Sequence, residues 1–308
     1  MSSKLIAILL SVIIASGLMY THPAFAHNFG GDESASWLAK MMEIKTEVGL
    51  IAKHVGNTNV ISYYSNALGV YWNANDTLEM GERNTLLQTE IPSTMNTTIS
   101  DAKTGNQIAV NTDVSKLDAY LDESIPVRVD KDKLDNSTVQ ALAVVFVLKD
   151  ALEKYGVAIN SPTDLNDMSQ MNMSGGSMSG MSGMSSMSST VVDQNAYENS
   201  IGLATTAQSM FNDLAANNTD KSDANTKTLS AFTKLVQDLN NKVDANTVMM
   251  DVHVNIHPVI ISAYNIQEVS ESNTGVSAVP EFPLPALLIV ISITGVVVAT
   301  RFKQQIGF

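Results

Sequence analysis

Seven methionines, Met168, Met171, Met173, Met178, Met181, Met184 and Met187, stand within one short stretch, MSQMNMSGGSMSGMSGMSSM, with no charged or aromatic residue among them. They are seven of the chain's 16 methionines. An apolar thioether normally fills gaps in a core. Here its neighbours are Ser, Gly, Gln and Asn, too small and too polar to bury it, so the composition predicts a flexible segment whose sulfurs face water. Thioether sulfur is a soft donor that favours Cu(I), and a flexible chain with Met every few residues can bring three sulfurs around one ion. The same composition also fits a plain linker, or a sacrificial sink in which Met cycles to its sulfoxide.

Histidines extend the donor set. Ala24-Phe25-Ala26 offers small residues where a signal peptidase reads, so cleavage after Ala26 would leave His27 first in the mature chain. Its free amine and imidazole nitrogen then chelate Cu(II), which prefers nitrogen donors in a plane; otherwise His27 is simply the residue after a cleavage site. His253 and His257 lie four apart in VHVNIHP. On a helix they share a face one turn apart, a spacing at which two imidazoles reach one metal. On a strand they would sit roughly 13 Å apart, too far to act together. Buried structural histidines are the competing reading. His54, beside Lys53 near a predicted helix end, reads as a cation favoured by the helix dipole.

The methionine spacing resembles the Met-rich segments of extracytoplasmic copper-handling proteins, and a histidine at a mature N-terminus resembles the copper brace of some oxidative enzymes. Such a brace also needs a second histidine and an open substrate face. Nothing in the sequence identifies that face, and other catalytic signatures are missing too. There is no Glu-x-x-His, no Gly-x-Ser-x-Gly turn, no phosphate-cradling Gly-Lys-Ser/Thr loop and no dinucleotide fingerprint. The acidic run Asp130, Asp132, Asp135 lacks the alternation and closing Glu of a calcium loop and reads as solvated surface. A non-enzymatic protein is expected.

The ends of the chain give an address. Lys4 precedes the apolar run Leu5 to Leu18, which with the Ala-Phe-Ala site reads as a signal peptide. Near the other end, Leu284 to Thr300 carries no charge and is followed at once by Arg301 and Lys303. As a helix it would rise roughly 25 Å, enough for a thin bilayer, with its basic tail on the cytoplasmic side and the body outside. Just before it stands Val279-Pro280-Glu281-Phe282-Pro283. The order of PEF motif, apolar helix and basic tail resembles the archaeal C-terminal sorting signals of the PEF and PEFG type, although Pro283 replaces the glycine. That resemblance implies a cell-surface protein, with an archaeosortase as a processing partner, and implies no activity for the body.

Composition narrows the body further. The chain has 308 residues and no cysteine, so an exported domain must be held by packing rather than disulfides. A net charge of -13 argues against nucleic acid as a partner. Asn75, Asn96, Asn136, Asn172 and Asn217 head glycosylation sequons.

The elements that must position these donors are helical. Trp37, Met41, Ile44, Val48, Ile51 and Val55 recur at steps of three and four, predicting a helix from about Glu33 to Val55 that stops at Gly56. Further helices are predicted over about 60–72, 75–90 up to Pro92, 114–126 and 137–155, with 93–112 a long, partly irregular connection. The 137–155 helix is apolar on most of its circumference and so should be central. Two matches suggest an internal repeat: YSNALGV at 64–70 with YENSIGL at 197–203, and DNSTV at 135–139 with DANTV at 244–248. The second register sets His253 on Val144 and His257 on Leu148. The sequence therefore predicts an all-α protein of up-and-down helical bundles, one or two, built by duplication. Its expected order is signal peptide 1–26, helical copy 27–162, Met/Ser/Gly-rich flexible loop 163–190, second helical copy 191–268, tether 269–283 and transmembrane anchor with basic tail 284–308.

Overall fold

A computed structural model describes residues 32–166 and 188–267. The signal peptide, His27, the methionine-rich stretch, the tether and the expected anchor lie outside the described residues. All regular structure described is helical, with no strand among those residues. No helix among them is long and apolar enough to cross a membrane.

Helix α1 (Glu33–Lys53) is fixed at its start by Asp32, whose carboxylate accepts from the Ser34 and Ala35 amides at 2.9 and 3.3 Å. Its two faces serve two cores. Trp37, Met41, Ile44, Val48 and Ile51 pack with α2 (Thr58–Tyr71), α3 (Ala74–Arg83), α4 (Thr85–Thr104) and α5 (Gln107–Arg128). Ala35 and Ala39 instead join the core built on α7 (Ser137–Ala158), which follows the short helix α6 (Lys131–Leu134). Gly56, at φ 88°, turns the chain after α1 and donates its amide to the Ala102 carbonyl at 2.8 Å, tying the ends of α1 and α4.

The expected irregular connection at 93–112 is not irregular. α4 runs through Pro92, and α5 begins directly after Gly105, a left-handed cap at φ 82°. Proline removes one backbone donor, but Leu87, Ile91, Met95 and Ala102 form a buried face that carries the helix past it. The Thr/Ser richness that suggested a loop is accommodated by hydroxyls folding back onto carbonyls four residues earlier. Thr97 donates to Ser93, Thr98 to Thr94, Thr112 to Ile108 and Ser115 to Asn111, at 2.8 to 3.1 Å.

α7 is buried nearly all round, as its apolar circumference predicts. It packs along α8 (Gln194–Asn217), and both share a core with α9 (Ser222–Asn240), α10 (Ala245–Met250) and α11 (His257–Tyr264). α8 also approaches α1 closely. A methyl added at Gly202 would meet Thr46 Cγ2 at 3.0 Å, and the Thr46 and Thr206 hydroxyls hydrogen-bond at 2.7 Å. These helices belong to one unit that ends at Glu268.

Candidate metal-binding site

Between α10 and α11 the chain makes a π-helical turn, Asp251–Ile256. Its cause is Pro258, near the start of α11: having no N–H, it cannot bond the carbonyl four residues back, and its ring crowds that carbonyl. The His257 amide accordingly donates to Val252, five residues back. The wider turn carries His253, and His257 follows it as the first residue of α11. His253 and His257 are each 5% exposed, their ring centroids 6.0 Å apart and nearly perpendicular at 72°. With metal–nitrogen bonds of about 2 Å, two imidazoles at this separation lie within the span of a single ion.

His253 Nε2 hydrogen-bonds the Leu165 carbonyl at 2.8 Å. A carbonyl only accepts, so Nε2 carries the proton and the lone pair lies on Nδ1. A ring nitrogen locked by a backbone carbonyl while the other keeps its lone pair is the usual support for a metal-binding histidine. The pair lines a cavity of about 20 Å³, room for about one water, walled by Val145, Leu148, Lys149 and Leu152 of α7 together with Val252 and Asn166. Asn166 is 6% exposed, and its Oδ1 has no hydrogen-bond partner among the described residues. Leu165 and Asn166 stand three and two residues before Met168, where the methionine-rich stretch begins. The histidines therefore sit at its foot.

The structure brings His253 and His257 together and leaves His54 elsewhere. His54 closes α1, where its Nε2 meets Glu198 Oε2 of α8 at 2.5 Å. The same carboxylate accepts from Lys53 Nζ and from the Tyr64 hydroxyl, the latter at 3.2 Å. Burial pushes the Glu198 carboxyl up, but the bonds from Lys53 and His54 outweigh it and hold it below the ordinary glutamate range. His27 and the seven methionines lie outside the described residues. Among the described residues no three His, Cys, Asp or Glu side chains group so as to hold a metal, so the histidine pair supplies two donors and no more.

A second polar cluster was not singled out in the sequence. Glu43 and Glu47 of α1 are 4% and 0% exposed. Glu43 shares a cleft with Asp150 of α7, and the Tyr71 hydroxyl donates to Asp150 Oδ2 at 3.1 Å. Asn199 Nδ2 of α8 donates to Glu47 Oε1 at 2.7 Å. Beside Glu43 and Asp150 opens a cleft of about 420 Å³ that Lys40, Lys149 and Phe146 also line. The signal was present: Ala35, Ala39, Glu43 and Glu47 step by four along one face, so carboxylates continue a row of small core residues.

Compared with protein-family models, curated proteins and solved structures, the chain matches none.

Proposed function

We propose that this is a membrane-tethered, extracytoplasmic helical protein that binds copper for buffering or delivery, using the methionine-rich stretch with His253 and His257 as nitrogen donors at its base. The bond from His253 Nε2 to the Leu165 carbonyl carries this reading. It orients one histidine at the chain position from which the sulfurs leave, and soft sulfur with imidazole suits copper better than calcium or magnesium. Bound copper would supply a redox-active, thiophilic ion; the chain's own part is to hold it and to fix the imidazole tautomer. His27 is proposed as a further Cu(II) donor on the strength of the Ala-Phe-Ala cleavage site. The surface address rests on the apolar C-terminal run and the PEF motif, which also make archaeosortase processing part of the proposal. The duplication is supported by the two matched segments, since Asn136 and Asp244 cap α7 and α10 and the aligned Tyr155 and Tyr264 are both buried.

Titration of the full chain with Cu(I) under reducing conditions tests the reading. Replacing all seven methionines by leucine should abolish Cu(I) binding. Replacing His253 and His257 by alanine should weaken it by at least about tenfold, the scale at which even supporting partners of a metal site act. A full chain that stays metal-free under those conditions leaves the methionine stretch a linker in a structural or interaction protein of the surface.

A further inference from the structure

Glu43, Glu47 and Asp150 meet where α1, α7 and α8 cross. Glu43 of α1 and Asp150 of α7 line the same cleft, the Asn199–Glu47 bond joins α8 to α1, and the Tyr71–Asp150 bond ties α2 to α7. Across the α1–α7 seam, ionising both Glu43 and Asp150 would set two like charges against each other in one cleft, and a proton on either removes that repulsion. Glu47 Oε2 is buried and has no hydrogen-bond partner among the described residues, a costly position for a charged oxygen and a tolerable one for an acid.

We propose that this junction is a proton-operated latch, which holds α1 against α7 and α8 while its carboxyls are protonated and loosens when they ionise. The charges facing it are mixed. Lys40 on α1 and Lys149 and Lys154 on α7 favour ionisation, while Glu153 on α7 opposes it. From α2 come the tyrosines Tyr63 and Tyr71, both pushed above their ordinary range by burial and by these carboxyls; from α8 comes the neutral Asn199. Burial prevails over the lysines. It drives Glu43 well above the ordinary glutamate range, with the charge of Asp150 adding to the effect, and lifts Glu47 from 4.5 to about 7. Asp150 is likewise raised, by burial and then by Glu153.

The sign follows from proton counting. A carboxyl that titrates higher in the folded chain than in the unfolded one stabilises the fold fully below the unfolded value, and that contribution is lost as pH rises through the folded value. For Glu47 the window runs from 4.5 to about 7, and Glu43 extends it upward. A protein facing the cell exterior would thus grip these helices in acid and relax them in mild alkali.

Hydrogen exchange of the full chain, corrected for intrinsic rates, tests this. Between about pH 5 and about pH 8, amides of α1, α7 and α8 should lose at least about tenfold protection, since each pH unit over which folded and unfolded chains differ by one proton changes the equilibrium tenfold. Glu43→Gln and Glu47→Gln are permanently neutral, so each should keep more protection than the unaltered chain at the alkaline end. Equal losses in the unaltered and Gln chains overturn the latch. Should a Gln variant not fold, infrared spectra of the unaltered chain decide. The carbonyl stretch of a protonated carboxylic acid should be present near pH 6 and disappear as protection is lost, and its absence overturns the proposal.

Discussion

Helix α7 and the segment from Ala245 to Tyr264 carry matching sequence, DNSTV against DANTV at their starts and Tyr155 against Tyr264 near their ends, yet one is a continuous helix and the other is broken by a π turn. Both open on capping side chains and both bury their closing tyrosine. Tyr155 donates to the Val243 carbonyl at 2.5 Å and Tyr264 to Asn225 Oδ1 at 2.7 Å. Between those fixed ends, Val144, Leu148 and Lys149 of α7 correspond to His253, His257 and Pro258. The proline accounts for the altered backbone, and the altered backbone faces two imidazoles into a core layer where α7 keeps aliphatic carbon. Between these two segments, the buried imidazoles stand where the turn widens, and a backbone carbonyl, that of Leu165, meets His253.

The sharpest way to break that comparison is to exchange the pairs. Val144→His with Leu148→His should destabilise the protein by at least about 4 kcal/mol, because apolar burial is lost and two imidazoles enter a regular helix with no carbonyl waiting for them. Denaturant unfolding measures the cost, and a loss below about 1 kcal/mol would show that any position in this layer accepts histidine. The reverse exchange, His253→Val with His257→Leu, should change stability by less than about 1 kcal/mol. Gained apolar packing there offsets the stranded Leu165 carbonyl. Copper affinity should fall even so, which separates a binding role from a packing role.

Next in size is Pro258→Ala. Restoring the N–H lets an ordinary α turn replace the π turn, and thermal unfolding should report a gain of about 1 kcal/mol. Copper binding should survive the change, since residues four apart on an α turn still share one face. Unchanged stability would mean that the π turn is held by its surroundings rather than by the proline.

Which of these features the sequence announced depends on whether the signal was a local rule or a tertiary event. Asn136 caps α7 through its own chemistry, and Gly56 turns the chain shortly after α1 ends at Lys53, close to where its lack of a side chain puts the stop. The four-residue spacing of His253 and His257 predicts their proximity for the same reason. Pro258 is visible as a disturbance, but that the chain answers with a π turn rather than ending the helix depends on Val252, Ile256 and Ile260 being buried on both sides of it. The part of α4 after Pro92 and the start of α5 were illegible because Thr, Ser and Asn disfavour helices in isolation, and only burial of Met95, Thr98, Ala102 and Val110 overrides that preference. Glu43 and Glu47 were not singled out because charged residues are seldom buried. Their burial follows from α7 and α8 closing on α1, a contact between segments far apart in the chain.

The smallest effect sharpens the comparison at one further position. Asp251 opens the π turn where α7 has the buried Leu142, and it is itself only 3% exposed. Lys234 of α9 reaches both its oxygens, at 2.8 and 3.1 Å, while also bonding Asp238 at 2.5 Å. Burial raises the Asp251 carboxyl from 3.8 to about 6, Asp238 adds to the rise, and the shared lysine pulls back without prevailing. A raised folded value means that the contribution of Asp251 is complete below the unfolded value and is lost as pH climbs through about 6. Because the Lys234 side chain is 55% exposed, water screens the pair, and the loss should be about 1 kcal/mol rather than the full amount the titration would imply. Asp251→Asn cannot ionise. Its thermal stability should therefore gain on that of the unaltered chain between about pH 4 and about pH 6, and the two curves should run parallel above about pH 7. A gap that stays constant over the whole range would mean that Asp251 is ionised throughout and that Lys234, rather than burial, sets its state.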